Sequence, residues 1–315
     1  MGEATGLVDD DRHVVELATG RTIALRLHVS FLTSLFQHLG LLIRTQRQGA
    51  TETDVDAGIV RLAAACPPIE ILRWGEYAAR DAAEFSDVEQ LVRRRAEDWA
   101  SELASAMKCF GEGYRNTSWP QEKTTLLEHQ RWLTPKLSVV KDDIIFGLRR
   151  GLLLAEDNRP VDVVLVRTSY DIAGAHSHPA LVDTSRFAGG DLIEVLFHEV
   201  GHELLDRSVG LSQSGIAMLN RAFGPASTHE VPLYDVLHVL LFAQAGNLVR
   251  EHFDQSHQPL LYKGDRLARA LQRMHLAAPQ ADVIDALDRY SAGQIEIDQL
   301  AKIFTNHSAR SAPRA

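Results

Sequence analysis

The segment that constrains this chain most is the one around Leu196, Phe197, Leu204 and Leu205, an apolar stripe at helical spacing that also carries His198 and His202. Such a helix has to lie in a core, and two histidines inside a core need partners. Its limits are marked in the residues. Gly189-Gly190 leads into it, Asp191 can cap it, Glu194 can return the bond as in a capping box, and Gly210 stands just past its end, so a helix is predicted over 191–207.

Within that helix, His198-Glu199-Val200-Gly201-His202 has the H-E-x-x-H pattern. Residues four apart are separated by about 40° of rotation and one turn of rise, so both imidazoles project from one face and can hold a single Zn²⁺. Glu199 is turned about 100° from His198, which lets its carboxylate reach a metal-bound water as a general base without being a ligand. Asp206, four residues past His202, can accept the second ring N–H of a ligating histidine or be an exposed last-turn carboxylate. Gly201 costs about 1 kcal/mol against alanine in a helix, a cost that makes sense if another element packs closely there.

A third ligand has to come from elsewhere, and Glu230, Asp235, His238 and Glu251 are within reach in sequence. His238 sits in the apolar run Val236 to Phe242, on a helix that must be buried, and is the leading candidate, with Glu230 the alternative. Asp235, one turn earlier, suits holding a ligand's ring N–H better than binding metal. Tyr234 and His229 are candidates for stabilising a developing oxyanion, as is the His176-Ser177-His178 segment. His176 and His178 could also start a second metal site, but two ligands fit a solvated loop better.

The rest of the chain sets the frame. Val161 to Val166 is a β-branched run bounded by Pro160 and Ser169, and Ala180 to Asp183 is a second short strand. His13–Leu17 and Thr22–Leu27 alternate around Thr19-Gly20 as a hairpin. Helices are expected from the Ser30 cap to Thr45 and over 54–65, 87–110 and 121–154, the last broken at Pro135. Pro232 opens another reaching Phe253, followed by helices over 260–274, 281–292 and 297–304. Trp74, Trp99, Trp119 and Trp132 are expected in the core, and Cys66 and Cys109 reduced and buried. The fold is thus α+β and predominantly helical, with an N-terminal helical region at 1–155, a catalytic core at 156–255, a C-terminal helical region at 256–305 and a tail at 306–315.

With 42 Asp and Glu against 33 Lys and Arg, the chain lacks the basic face that nucleic acid requires. No apolar stretch reaches a membrane span, and Met1 to Asp11 resembles no secretion signal, so a cytoplasmic protein is expected.

Through His198-Glu199-x-x-His202 and the order of strand, edge strand and motif helix, the chain resembles the zincin superfamily of zinc metallopeptidases over residues 160–255. The resemblance implies zinc on His198 and His202, water activation by Glu199, a small sheet packed on the motif helix, and a strand near Ala180 to Asp183 holding extended substrate. Asp206 also stands where the thermolysin-like branch has an aspartate. The Gly and His of metzincins are missing from Glu203 to Ser208, and no Asn-Glu pair supplies a thermolysin-like third ligand. The reaction implied is hydrolysis of a peptide or amide bond. Two alternatives stay open: a zinc enzyme acting on a small molecule as deacylase, amidohydrolase or lyase, and a helical binding protein whose metal is structural.

Overall fold

Strand β1 (His13–Leu17) alternates half-buried His13 and Val15 with exposed Val14 and Glu16 and ends on the buried Leu17. The computed structural model describes residues 12–17, 24–47, 60–62, 64, 90, 100–152, 154, 159–167, 180–207, 233–274 and 278–308. In it β1 pairs antiparallel with β2 (Leu25–Val29), Val15 facing Leu27. The return strand therefore lies later than the expected 22–27, because its register follows the buried set Leu25, Leu27 and Val29. β3 (Val161–Val166) joins β2 in parallel, and β4 (Ala180–Asp183) joins β3 in parallel, giving the order β1-β2-β3-β4. The valine and leucine run Val163–Val166 of β3 suits a strand covered on both faces, and Val163, Val164 and Leu165 are fully buried. His28 on β2 is satisfied across the sheet, its Nε2 lying 2.7 Å from Asp162 Oδ1 on β3.

Ser30 caps α1 (Phe31–Arg47), its Oγ accepting from the Thr33 backbone N–H at 3.2 Å. Of the helix expected over 54–65 only 60–62 and 64 are described, and these are helical. The next expected helix is described from α2 (Ala100–Thr117) and continues past Phe110. α3 (Trp119–Gly151) then corrects two expectations. It is not broken at Pro135, because Pro135 and Arg131, whose carbonyl loses its donor, both lie on the exposed face, while Leu126, Leu133, Leu137 and Ile144 keep one buried stripe. Trp132 is also on that outer face, 38% exposed with Lys136 Nζ 5.0 Å from its ring, whereas Trp119 is buried against Phe31. Trp74, Trp99 and Cys66 lie outside the described residues. Cys109 is free and exposed, not buried, since it falls on the outer side of α2.

The motif helix is α4 (Gly189–Arg207), and α5 (Leu233–His252) follows. The helix expected over 260–274 is two elements, a 3₁₀ turn (Leu260–Tyr262) and α6 (Arg266–Arg273), interrupted at Gly264, whose φ of 63° no helix continues through. α7 (Gln280–Ser291) and α8 (Ile297–Ser308) complete the described chain. Arg250 on α5 donates to Asp288 on α7 at 2.6 Å, and the Tyr262 hydroxyl donates to the same carboxylate at 2.9 Å. Among the described residues no helix is long and apolar enough to cross a membrane.

The chain divides into two compact units, one formed by 1–18, 24–139 and 160–187 and the other by 19–23, 140–159 and 188–315. The division differs from the expected boundary at residue 155. β3 and β4 fall with the N-terminal hairpin because β2 pairs with β3, and the motif helix falls with the C-terminal helices.

In the first unit the Tyr114 hydroxyl donates to Glu122 at 2.7 Å, and His38 Nε2 lies 2.9 Å from the other carboxylate oxygen. Burial disfavours the Glu122 charge, but the bonds from His38 and Tyr114 and the Arg167 charge outweigh it and hold the carboxyl below its ordinary value. A carboxyl lowered by folding stabilises the fold at neutral pH and loses that contribution as pH falls through the folded value. Glu122→Gln is expected to lose about 1–3 kcal/mol at pH 7, with the gap to wild type closing in acid, as followed by urea unfolding from pH 7 downward.

Candidate metal centre

The spacing of His198 and His202 is local, and α4 stacks them one turn apart with their Nε2 atoms 2.9 Å apart. α5 supplies the third ring. His238 Nε2 lies 3.2 Å from His198 Nε2, and the ring centroids of His202 and His238 are 5.1 Å apart. His198 and His202 are buried, His238 is half-buried, and Glu199, next along α4, is 3% exposed. Phe242, one turn after His238, stacks on the His198 ring at 3.7 Å between centroids.

Burial, and then the neighbouring His202 and His238, push His198 well below its ordinary value, so its ring is neutral. Its Nε2 lies within hydrogen-bond distance of both neighbouring rings, and its Nδ1 is a buried atom with no hydrogen-bond partner among the described residues. Its Nε2 therefore faces the space shared by the three rings. Nitrogen ligands about 2.0–2.1 Å from a tetrahedral zinc ion lie about 3.3 Å apart, close to the 2.9 and 3.2 Å found here. Three imidazoles with converging Nε2 atoms fit a borderline-soft cation such as Zn²⁺. Among the described residues no fourth histidine, cysteine or carboxylate joins this group.

Gly201 allows the two helices to come this close. A Cβ there would fall on Leu241 Cδ1 of α5 and lie 3.5 Å from Leu152 Cδ1. Leu241 is fully buried and has little room to move. Gly201→Ala gains about 1 kcal/mol of helix propensity but is expected to lose about 1–3 kcal/mol net through overpacking. Chemical unfolding checks this, and a stabilised variant would show that Leu241 yields.

The expected capping box is not formed. Asp191 is inside the first turn of α4 and accepts from Lys263 Nζ at 2.6 Å. Glu194, with no exposed surface, lies 2.6 Å from His257 Nε2 and accepts from the Leu260 backbone N–H at 2.8 Å. Burial raises the Glu194 carboxyl, against the pull of His257 and Leu260. Asp191, Glu194 and His257 bring three possible ligand atoms together, but these bonds make them a brace between α4 and the 254–263 segment. The signal for it was a glutamate embedded between Ile193 and Val195 on a buried helix. Phe242 had no such signal, because an aromatic in an apolar run is ordinarily core.

Among the described residues Asp235 holds no histidine ring: its carboxylate accepts from Arg273 Nε at 3.1 Å, since α6 packs beside the start of α5. Glu251 is exposed more than three turns along α5 from His238 and is excluded as a ligand. His229, Glu230, His176 and His178 lie outside the described residues, as do the side chains of Tyr234 and Asp206. In comparisons with known proteins, no family model, curated protein or solved structure matches the chain.

Proposed function

We propose that the chain is a zinc-dependent hydrolase of the zincin type that cleaves a peptide or other amide bond. The observation that carries this reading is the convergence of three histidine Nε2 atoms in a buried setting, with Glu199 beside His198 on the same helix. His198, His202 and His238 would hold the metal. Zinc in such a site supplies Lewis-acid polarisation of a carbonyl and acidifies water. Glu199 is the residue to take a proton from the attacking water and return it to the leaving amine, a task that needs a carboxylate near the ligands but outside their set. Phe242, stacked on His198, keeps that ring oriented and shields its face from solvent. Among the described residues three ligands rather than four meet here, which supports catalysis over a structural metal, because a reacting group needs an open position.

The cavity beside His238 is about 140 Å³, room for a small substituent of an amide substrate. No partner protein is assigned, and neither nucleic acid nor a membrane enters the reading. Metal analysis after expression with added zinc is expected to find about one zinc per chain. A content near zero would reject the assignment.

A further inference from the structure

The cavity next to the histidines is lined by His238 and Phe242 from α5, by Leu261 from the 3₁₀ turn, and by Arg266, Arg269 and Arg273 from α6. Positions separated by three and seven residues fall within about 60° of a helix surface, so the arginines form one stripe. Leu267 and Leu271 turn the other way and are buried. α6 holds these three cations and no acid, in a chain whose net charge is -9.

Their charges are only partly matched. Arg269 donates to Asp265 at 2.8 Å and Arg273 to Asp235 at 3.1 Å. Arg266 reaches only the Leu260 carbonyl, at 3.4 Å, and among the described residues no carboxylate pairs with it. A cation in the first turn of a helix is disfavoured by the helix dipole, so the stability of α6 does not account for it. A guanidinium next to apolar walls matches the planar geometry of a carboxylate. The volume is close to that of a cavity able to hold a benzene ring.

We propose that this cavity binds the free carboxylate of a small amide substrate, with Arg266 the recognising residue, an inference that rests on the hydrolase reading above. The test is calorimetric titration of benzoate, its neutral counterpart benzamide, and inorganic phosphate into the full zinc-supplemented chain. Wild type is run beside Arg266→Gln and Arg266→Lys, and zinc is measured on the same preparations. Benzoate is expected to bind at least about tenfold more tightly than benzamide. Arg266→Gln is expected to weaken benzoate about tenfold, Arg266→Lys to retain part of the affinity, and all three proteins to hold equal zinc. Benzamide binding as well as benzoate, benzoate affinity unchanged in Arg266→Gln, or phosphate binding where benzoate does not would each overturn the subsite. Arginine-dependent benzoate binding by a protein that takes up no zinc would support the subsite and reject the hydrolase reading.

Discussion

Glu199→Gln is expected to lower the hydrolysis rate by about a thousandfold while zinc content and unfolding stay as in wild type. The amide has the shape of the carboxylate and fits the same buried position, but it cannot take a proton. Because the lost interaction belongs to the transition state, the loss should fall on kcat and leave KM nearly unchanged. Steady-state kinetics on an amide substrate, with zinc measured on the same preparation, make the check. A zinc-loaded variant with wild-type activity would remove Glu199 from the mechanism, and a variant stripped of zinc would make it a ligand.

His238→Ala should have the largest effect on metal. Loss of a residue that only supports a ligand costs about 10–100-fold in affinity, so loss of a ligand is expected to cost more than a hundredfold. Stability reports it through linkage. Zinc present at about a thousand times its dissociation constant stabilises the native state by about 4 kcal/mol, and that increment should disappear in the variant. Unfolding of both proteins with and without chelator separates this from a packing defect, which would lower stability equally in both conditions. Glu230→Ala, run alongside, is expected to leave zinc affinity unchanged.

What could be recognised from sequence follows the range of the interactions involved. The helix carrying His198, Glu199 and His202 is set by spacing within two turns, and its histidine pair meets as the periodicity requires. The strand at Val161–Val166 was equally legible, because a segment so rich in β-branched residues has few other uses, and Ala180–Asp183 also forms the short strand expected there. Boundaries depend on where a single residue sits in the fold. Pro135 marks no break because its lost hydrogen bond faces water, and residues 260–274 form two elements because Gly264 takes a left-handed conformation.

Glu194 separates the two kinds of information. Its place three residues after Asp191 matches a local capping rule, yet its carboxylate meets His257 and the Leu260 N–H. Full burial decides the outcome, since a carboxylate with no access to water needs more partners than a cap provides.

Local spacing sets the motif helix, the placement of two imidazoles and a carboxylate on it, and the strand Val161–Val166, all properties of residues a few positions apart. Tertiary structure alone decided that β2 lies beside β3, that Arg273 takes Asp235 away from the histidines, and that His238 arrives within 3.2 Å of His198. These pairings join segments far apart in the chain. Whether they form depends on how closely packed surfaces such as Gly201 and Leu241 approach, which no local periodicity encodes.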